Sequence, residues 1–84
     1  MHDIKVATGA YIPKDNIALF VAYGSRPIKN DVTQKKQAGL VHDFTFGKRA
    51  DTAIHLKSGE VVLVNTSPDT INQRMQASVT NGAD

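Results

Sequence analysis

The sequence predicts a single small α+β domain, a largely antiparallel sheet with two helices packed on it. Three observations carry that prediction. Short segments rich in Val, Ile, Phe and Tyr recur at strand length, as in Ile17-Ala18-Leu19-Phe20-Val21-Ala22-Tyr23 and Glu60-Val61-Val62-Leu63-Val64. Two other segments open near a proline and continue with apolar residues four apart, the spacing of one helix face. A chain of 84 residues has room for one core and no second domain.

Ile4-Lys5-Val6 alternates apolar and polar residues and predicts a short first strand that stops before Thr8-Gly9. Pro13-Lys14-Asp15-Asn16 is turn chemistry. The nearly continuous apolar run from Ile17 to Tyr23 predicts a strand buried at the centre of the core. Gly24 breaks it, and a helix starts at Ser25-Arg26-Pro27. Arg26 as the cap puts the proline in the first helical slot; Ser25 suits the cap better by type and puts the proline second. The helix body runs from Ile28 to Gln37, docks through Ile28 and Val32, and closes at Ala38-Gly39.

A further strand is expected over Leu40 to Phe46, followed by the loop Gly47-Lys48-Arg49-Ala50-Asp51. Thr52 to Leu56 and Glu60 to Val64 read as a hairpin around Lys57-Ser58-Gly59, with the second strand apolar on both faces and therefore internal. Ser67, Pro68 and Asp69 open a second helix with Ile71 and Met75 on its buried stripe. The folded domain is read as residues 1–75, and the polar residues 76–84 as a tail without fixed structure.

Apolar residues make up 40% of the chain, and no run reaches membrane-spanning length, so no membrane partner is expected. The first residues lack the pattern of a signal peptide and cysteine is absent, which points to a cytoplasmic location. A thin core without disulfides, with strands apolar on both faces, predicts self-association. The net charge of +2 says little, but its distribution says more. Residues 26–49 hold six cations and two anions, a local +4, against −2 over the other sixty positions. Such a concentration is the footprint of a face that meets a polyanion. Its candidate contacts are Lys29, Lys35 and Lys36 on the first helix and Lys48 and Arg49 on the loop. Lys35 and Lys36 also complement the helix dipole from its last turn.

The residues argue against catalysis and against a cofactor. His2, His42 and His55 are not spaced as metal ligands, no phosphate-binding glycine pattern occurs, and nothing singles out a nucleophile. His42 and Asp43 are strand neighbours that point to opposite faces, and His55 reads as the polar face of its strand. Tyr23, Phe44 and Phe46 are expected in the core rather than stacked on bases.

The span from Asn16 to Met75 resembles the RemA family of small bacterial regulators. Pro27-Ile28-Lys29 looks like the family's proline-isoleucine-lysine at the helix start. Asp43-Phe44-Thr45-Phe46-Gly47-Lys48-Arg49 is similar to its aspartate-x-threonine-tyrosine-glycine-arginine-arginine. Ser58-Gly59-Glu60-Val61-Val62-Leu63, then Pro68-Asp69-Thr70-Ile71 and Arg74, match its later motifs without insertions. The resemblance implies a LytTR-like fold and a DNA-binding activator of biofilm-matrix genes that works without a cofactor as a ring-shaped homo-oligomer. It implies double-stranded DNA as partner, with Lys48 and Arg49 at the position of the family's DNA-contacting arginine pair. Lysine replaces the first arginine of that pair, Asp51 brings an acid close to it, and Asn16 stands for a further family arginine, with only Lys14 nearby as a sixth candidate DNA contact. These departures leave open a ring that binds RNA, a protein or a small anion at subunit interfaces.

Overall fold

A computed structural model describes residues 3–83, with side chains described for residues 3–77. Strands β1 (Asp3–Ala7) and β2 (Ala10–Pro13) pair antiparallel as a separate two-stranded sheet. One 3-10 turn, Lys14–Asn16, leads into β3 (Ile17–Ala22). Helix α1 (Arg26–Gln37), β4 (Val41–Phe44), β5 (Thr52–Leu56), β6 (Val61–Val64) and α2 (Pro68–Ala83) follow in chain order. The main sheet has the strand order β3-β5-β6-β4 and is antiparallel except for the β4–β6 pair. This is a small α+β domain with two helices.

Side chains alternate across a strand, so each inner strand feeds two cores. Ile54, Val62 and Val64 point to one face, where they join Ile4, Val6 and Ile12 of the small sheet and Ile71 of α2. Ala53, Val61 and Leu63 point to the other, where Val32 and Ile28 of α1 cover them. All four residues of β6 are buried, because both of its faces are roofed. Each such side chain stabilises the fold by roughly 1.5–3 kcal/mol.

The helix ends follow local rules. Ser25 takes the cap position of α1, in extended conformation and without a side-chain capping bond, so Pro27 is second. At the other end the Leu40 N–H donates to the Lys35 carbonyl at 2.9 Å and the Gly39 N–H to Lys36 at 3.0 Å, with Gly39 at φ +76°. These are the paired bonds of a Schellman motif, in which only glycine takes the left-handed residue without strain. At the start of α2 the Thr70 N–H donates to Ser67 Oγ at 3.2 Å.

The main sheet corrects one expectation. β3 lies at an edge and not at the centre of the core, and only Ile17 among its residues is buried. Leu19 is 49% exposed. A continuous apolar run reports contacts above and below a strand and carries no information about its lateral neighbours, which is why the sequence pattern misplaced it. β2 was not anticipated, because only Ile12 of its four residues is buried and no alternation is long enough to register. β4 ends at Phe44, two residues earlier than expected. Helix α2 takes in most of the segment expected as a polar tail, while residue 84 and the side chains from residue 78 onward lie outside the described residues.

Candidate nucleic-acid interface

The turn that follows β4 is built by Asp43. Its Oδ1 accepts the Thr45 N–H at 2.9 Å and the Thr45 hydroxyl at 2.7 Å, a side-chain-closed turn that pulls the chain out of the sheet. Thr45 is buried beneath it. The Lys48 N–H then donates to the Thr45 carbonyl at 3.0 Å. The two residues between, Phe46 (φ +55°) and Gly47 (φ +80°), both have positive φ, as the centre of a type I′ turn does. Glycine meets that demand freely; phenylalanine does not.

The segment beyond the turn is pinned at several points. Asn65 Nδ2 donates to the Arg49 carbonyl at 2.6 Å. The Asp51 N–H donates to the Val64 carbonyl, and the Tyr23 N–H to the Asp51 carbonyl, each at 2.9 Å. Thr52 Oγ1 donates to the Thr66 carbonyl, and Thr66 Oγ1 to the Val6 carbonyl at 2.8 Å, which ties the main sheet to β1. Lys48 and Arg49 therefore project from a fixed backbone. Among the described residues the Lys48 ammonium forms no ion pair. The Arg49 guanidinium is 90% exposed and 3.7 Å from Asp51. An exposed pair of that length contributes little, so Asp51 reduces the local charge without sequestering the arginine.

Register decides which predicted cations share this end of the sheet. Ala22 pairs with Thr52 and Ile17 with Leu56, so the Lys48–Arg49 turn stands at the end where β3 finishes and α1 begins. Arg26, three residues after Tyr23, and Lys29, one turn into α1, belong to that end. Lys29 Nζ lies 6.0 Å over the Tyr23 ring, a cation–π contact at the limit of its range. Lys14 stands at the opposite, hairpin end, where Asn16 accepts from Lys57, and its ammonium donates to the Met75 carbonyl at 3.3 Å. Lys35 and Lys36 close α1 toward that far end too, although Lys36 is near enough to Asp43 to act on its carboxyl. The six predicted cations divide, with Lys29, Lys48 and Arg49 together and Lys14, Lys35 and Lys36 apart.

Two aromatic placements also differ from expectation. Phe46 is 67% and Phe44 37% exposed, whereas Tyr23 packs against the α1-side core. Ending β4 at Phe44 leaves that residue paired with Val64 at the strand's last position and carries Phe46 out of the sheet. Between them and the β1–β2 turn lies a cleft of about 110 Å³, lined by Ala7, Thr8, Phe44, Thr45, Phe46, Lys48, Asn65 and Thr66. Sequence reasoning passed over Asn65 and the Asp43–Thr45 turn, although the Asp-x-Thr spacing was the available signal. His42 and Asp43 do act separately: His42 Nε2 meets Glu60 Oε2 at 2.8 Å, and Asp43 serves the turn. His55 is 4.0 Å from Asp31 of α1 and only 19% exposed at its side chain, so it lies under the helix.

Two carboxyls titrate low. The Thr45 hydroxyl, then the Thr45 N–H, hold the Asp43 carboxyl below its usual value, with a smaller contribution from Lys36. The imidazole of His42 and then the Ser58 hydroxyl hold Glu60 low. A depressed carboxyl contributes stability that is present above its unfolded pKa and is lost as pH falls through the lower folded value. On acidification the Thr45 amide resonance is therefore expected to titrate below the ordinary aspartate range and to leave its hydrogen-bonded position as the turn opens. In Asp43→Ala that amide should already be displaced at neutral pH. A Thr45 amide that titrates at the unperturbed aspartate value would contradict the turn described here.

The fold and this end of the sheet define a class: a small α+β domain without a metal-binding cluster among its described residues, presenting a rigid cationic turn. Comparison with known proteins makes the class specific. The profile of the RemA-like family, described as Extracellular matrix regulatory protein A-like, matches residues 4–75, and the chain belongs to that family. A "Putative regulatory protein" of Natranaerobius thermophilus is 29% identical over 72 residues, 86% of this chain and 81% of that one. Similarly named proteins of Desulfitobacterium hafniense and Coprothermobacter proteolyticus are 30% and 32% identical, over 88% and 87% of this chain and 81% and 70% of theirs.

Proposed function

We propose that this protein is a transcriptional regulator that binds duplex DNA through phosphate contacts from the Lys48–Arg49 turn, repeated around a homo-oligomeric ring. The observation that carries the reading is the turn itself: two exposed cations on a backbone pinned by Asn65 and Asp43. Arg26 and Lys29 extend the cationic surface at the same end of the sheet. Membership of the RemA-like family and the regulatory names of its relatives support the reading.

One copy is a weak binder. Two to four phosphate contacts supply too little affinity at physiological salt, because each neutralised phosphate steepens the salt dependence by about 0.9 in log–log slope. Repeating the turn at high effective concentration overcomes that limit. The apolar edge strand β3, with Leu19 exposed, is the kind of surface that a neighbouring copy would cover. Scattering mass at micromolar concentration is expected to exceed the monomer, and Leu19→Lys to lower it. A clean wild-type monomer would remove the ring from this reading.

Fluorescence anisotropy with a generic duplex, across a salt series, tests the central statement. Binding that weakens steeply as salt rises is expected. No binding at low salt would overturn the function, and tighter binding to RNA than to DNA would transfer it to a different ligand.

A further inference from the structure

The Phe46 ring lies largely outside the core. It is 67% exposed, and it sits at φ +55°, a conformation that costs a non-glycine residue roughly 1–2 kcal/mol. Asparagine tolerates that φ and is compatible with water, so neither solubility nor turn formation accounts for a phenylalanine here. The strain is held in place by the Asp43 carboxylate and by the bond from Lys48 to Thr45, and its result is a rigidly aimed apolar ring. Two cations follow within three residues.

We propose that Phe46 is an apolar wedge, which enters the minor groove and partly unstacks a base step while Lys48 and Arg49 hold phosphates beside it. This rests on the duplex-binding reading above and assigns that site its deforming residue. Minor-groove proteins use single apolar side chains of this kind, flanked by cations, to kink the duplex. The charge pattern selects the occupant. A second copy meeting the turn symmetrically would bring two Lys48–Arg49 pairs together, and the like charges would repel, whereas a polyanion neutralises them. A single-strand platform stacks successive bases on several adjoining open rings, and here the two mostly exposed rings belong to different elements, Phe46 to the turn after β4 and Tyr11 to β2 of the small sheet, with Phe44 only 37% exposed. Pyrimidine–purine steps are the easiest to open, so the wedge favours duplexes that contain them.

The test compares wild type, Phe46→Asn and Phe46→Leu on an end-labelled duplex of about 30 base pairs carrying TA steps. Bending is read by energy transfer between the ends, affinity by anisotropy over a salt series, assembly mass by light scattering and fold by thermal melting. Phe46→Asn is expected to melt no lower than wild type, to lose the bend, and to bind roughly tenfold more weakly, with an unchanged salt slope because no phosphate contact is removed. Phe46→Leu, which keeps an apolar wedge, should retain most of the bend. Equal bending by wild type and Phe46→Asn, with binding intact, would overturn the wedge and leave the duplex-binding reading standing. Wild type that fails to bind at low salt would overturn both. A change in assembly mass with bending unaltered would assign the ring to a subunit contact and also overturn the proposal.

Discussion

Replacing Lys48 and Arg49 together by alanine is expected to weaken duplex binding at least about a hundredfold at moderate salt, with fold and assembly mass unchanged. Both side chains are exposed, and the contacts that shape the turn use the backbone of residues 48 and 49 rather than their cations. Surface substitutions of that kind shift stability by no more than about 0.5 kcal/mol. The effect on binding is large for the opposite reason. Each subunit on the duplex loses two phosphate contacts, so the log–log salt slope should fall by about 1.8 per engaged subunit, and the loss compounds across the ring. Arg49→Lys separates charge from geometry. It keeps the cation but loses the planar fork that grips a phosphate with two bonds, so it should fall between wild type and the double variant. A double variant that binds as tightly as wild type, with the same salt slope, would show that the duplex is held elsewhere.

Much of the fold was legible because local rules and tertiary structure agree. The proline–glycine punctuation of α1, the Ser67-Pro68 start of α2 and the Gly59 hairpin all depend on a few neighbouring residues, and all appear as expected. The position of β3 was not legible, because lateral order in a sheet depends on partners far along the chain. Gly47-Lys48-Arg49 was visible as a cationic turn. The orientation of Phe46 was not, because it follows from one carboxylate, Asp43, closing on Thr45 and ending the strand two residues early. The partition of the lysines was hidden for a similar reason. Lys14 and Lys48 are equally cationic in sequence, and only the antiparallel register of β3 with β5 separates them to opposite ends of the sheet.

Ile54→Ala is expected to remove a large share of the protein's stability, and Leu19→Ala to leave the monomer fold nearly untouched, although both residues are large aliphatics on adjacent strands. Ile54 is fully buried at the centre of β5, between Phe20 and Val62 in register and among the side chains of the small sheet and α2. Truncation there removes its transfer free energy and leaves a cavity that strands on both sides cannot collapse, a loss of roughly 2–5 kcal/mol. A domain of this size, without disulfides, has a total stability of only about 5–10 kcal/mol, so the remainder is small. Leu19 lies on the outer strand and is half exposed, so truncating it removes little buried area and opens no cavity. Denaturant titration of the two variants measures the contrast. If subunits meet along β3, Leu19→Ala will also lower the assembly mass, and its midpoint will depend less strongly on protein concentration than that of wild type. If the two variants lose stability equally, β3 must be as enclosed as the inner strands, and the edge assignment is wrong.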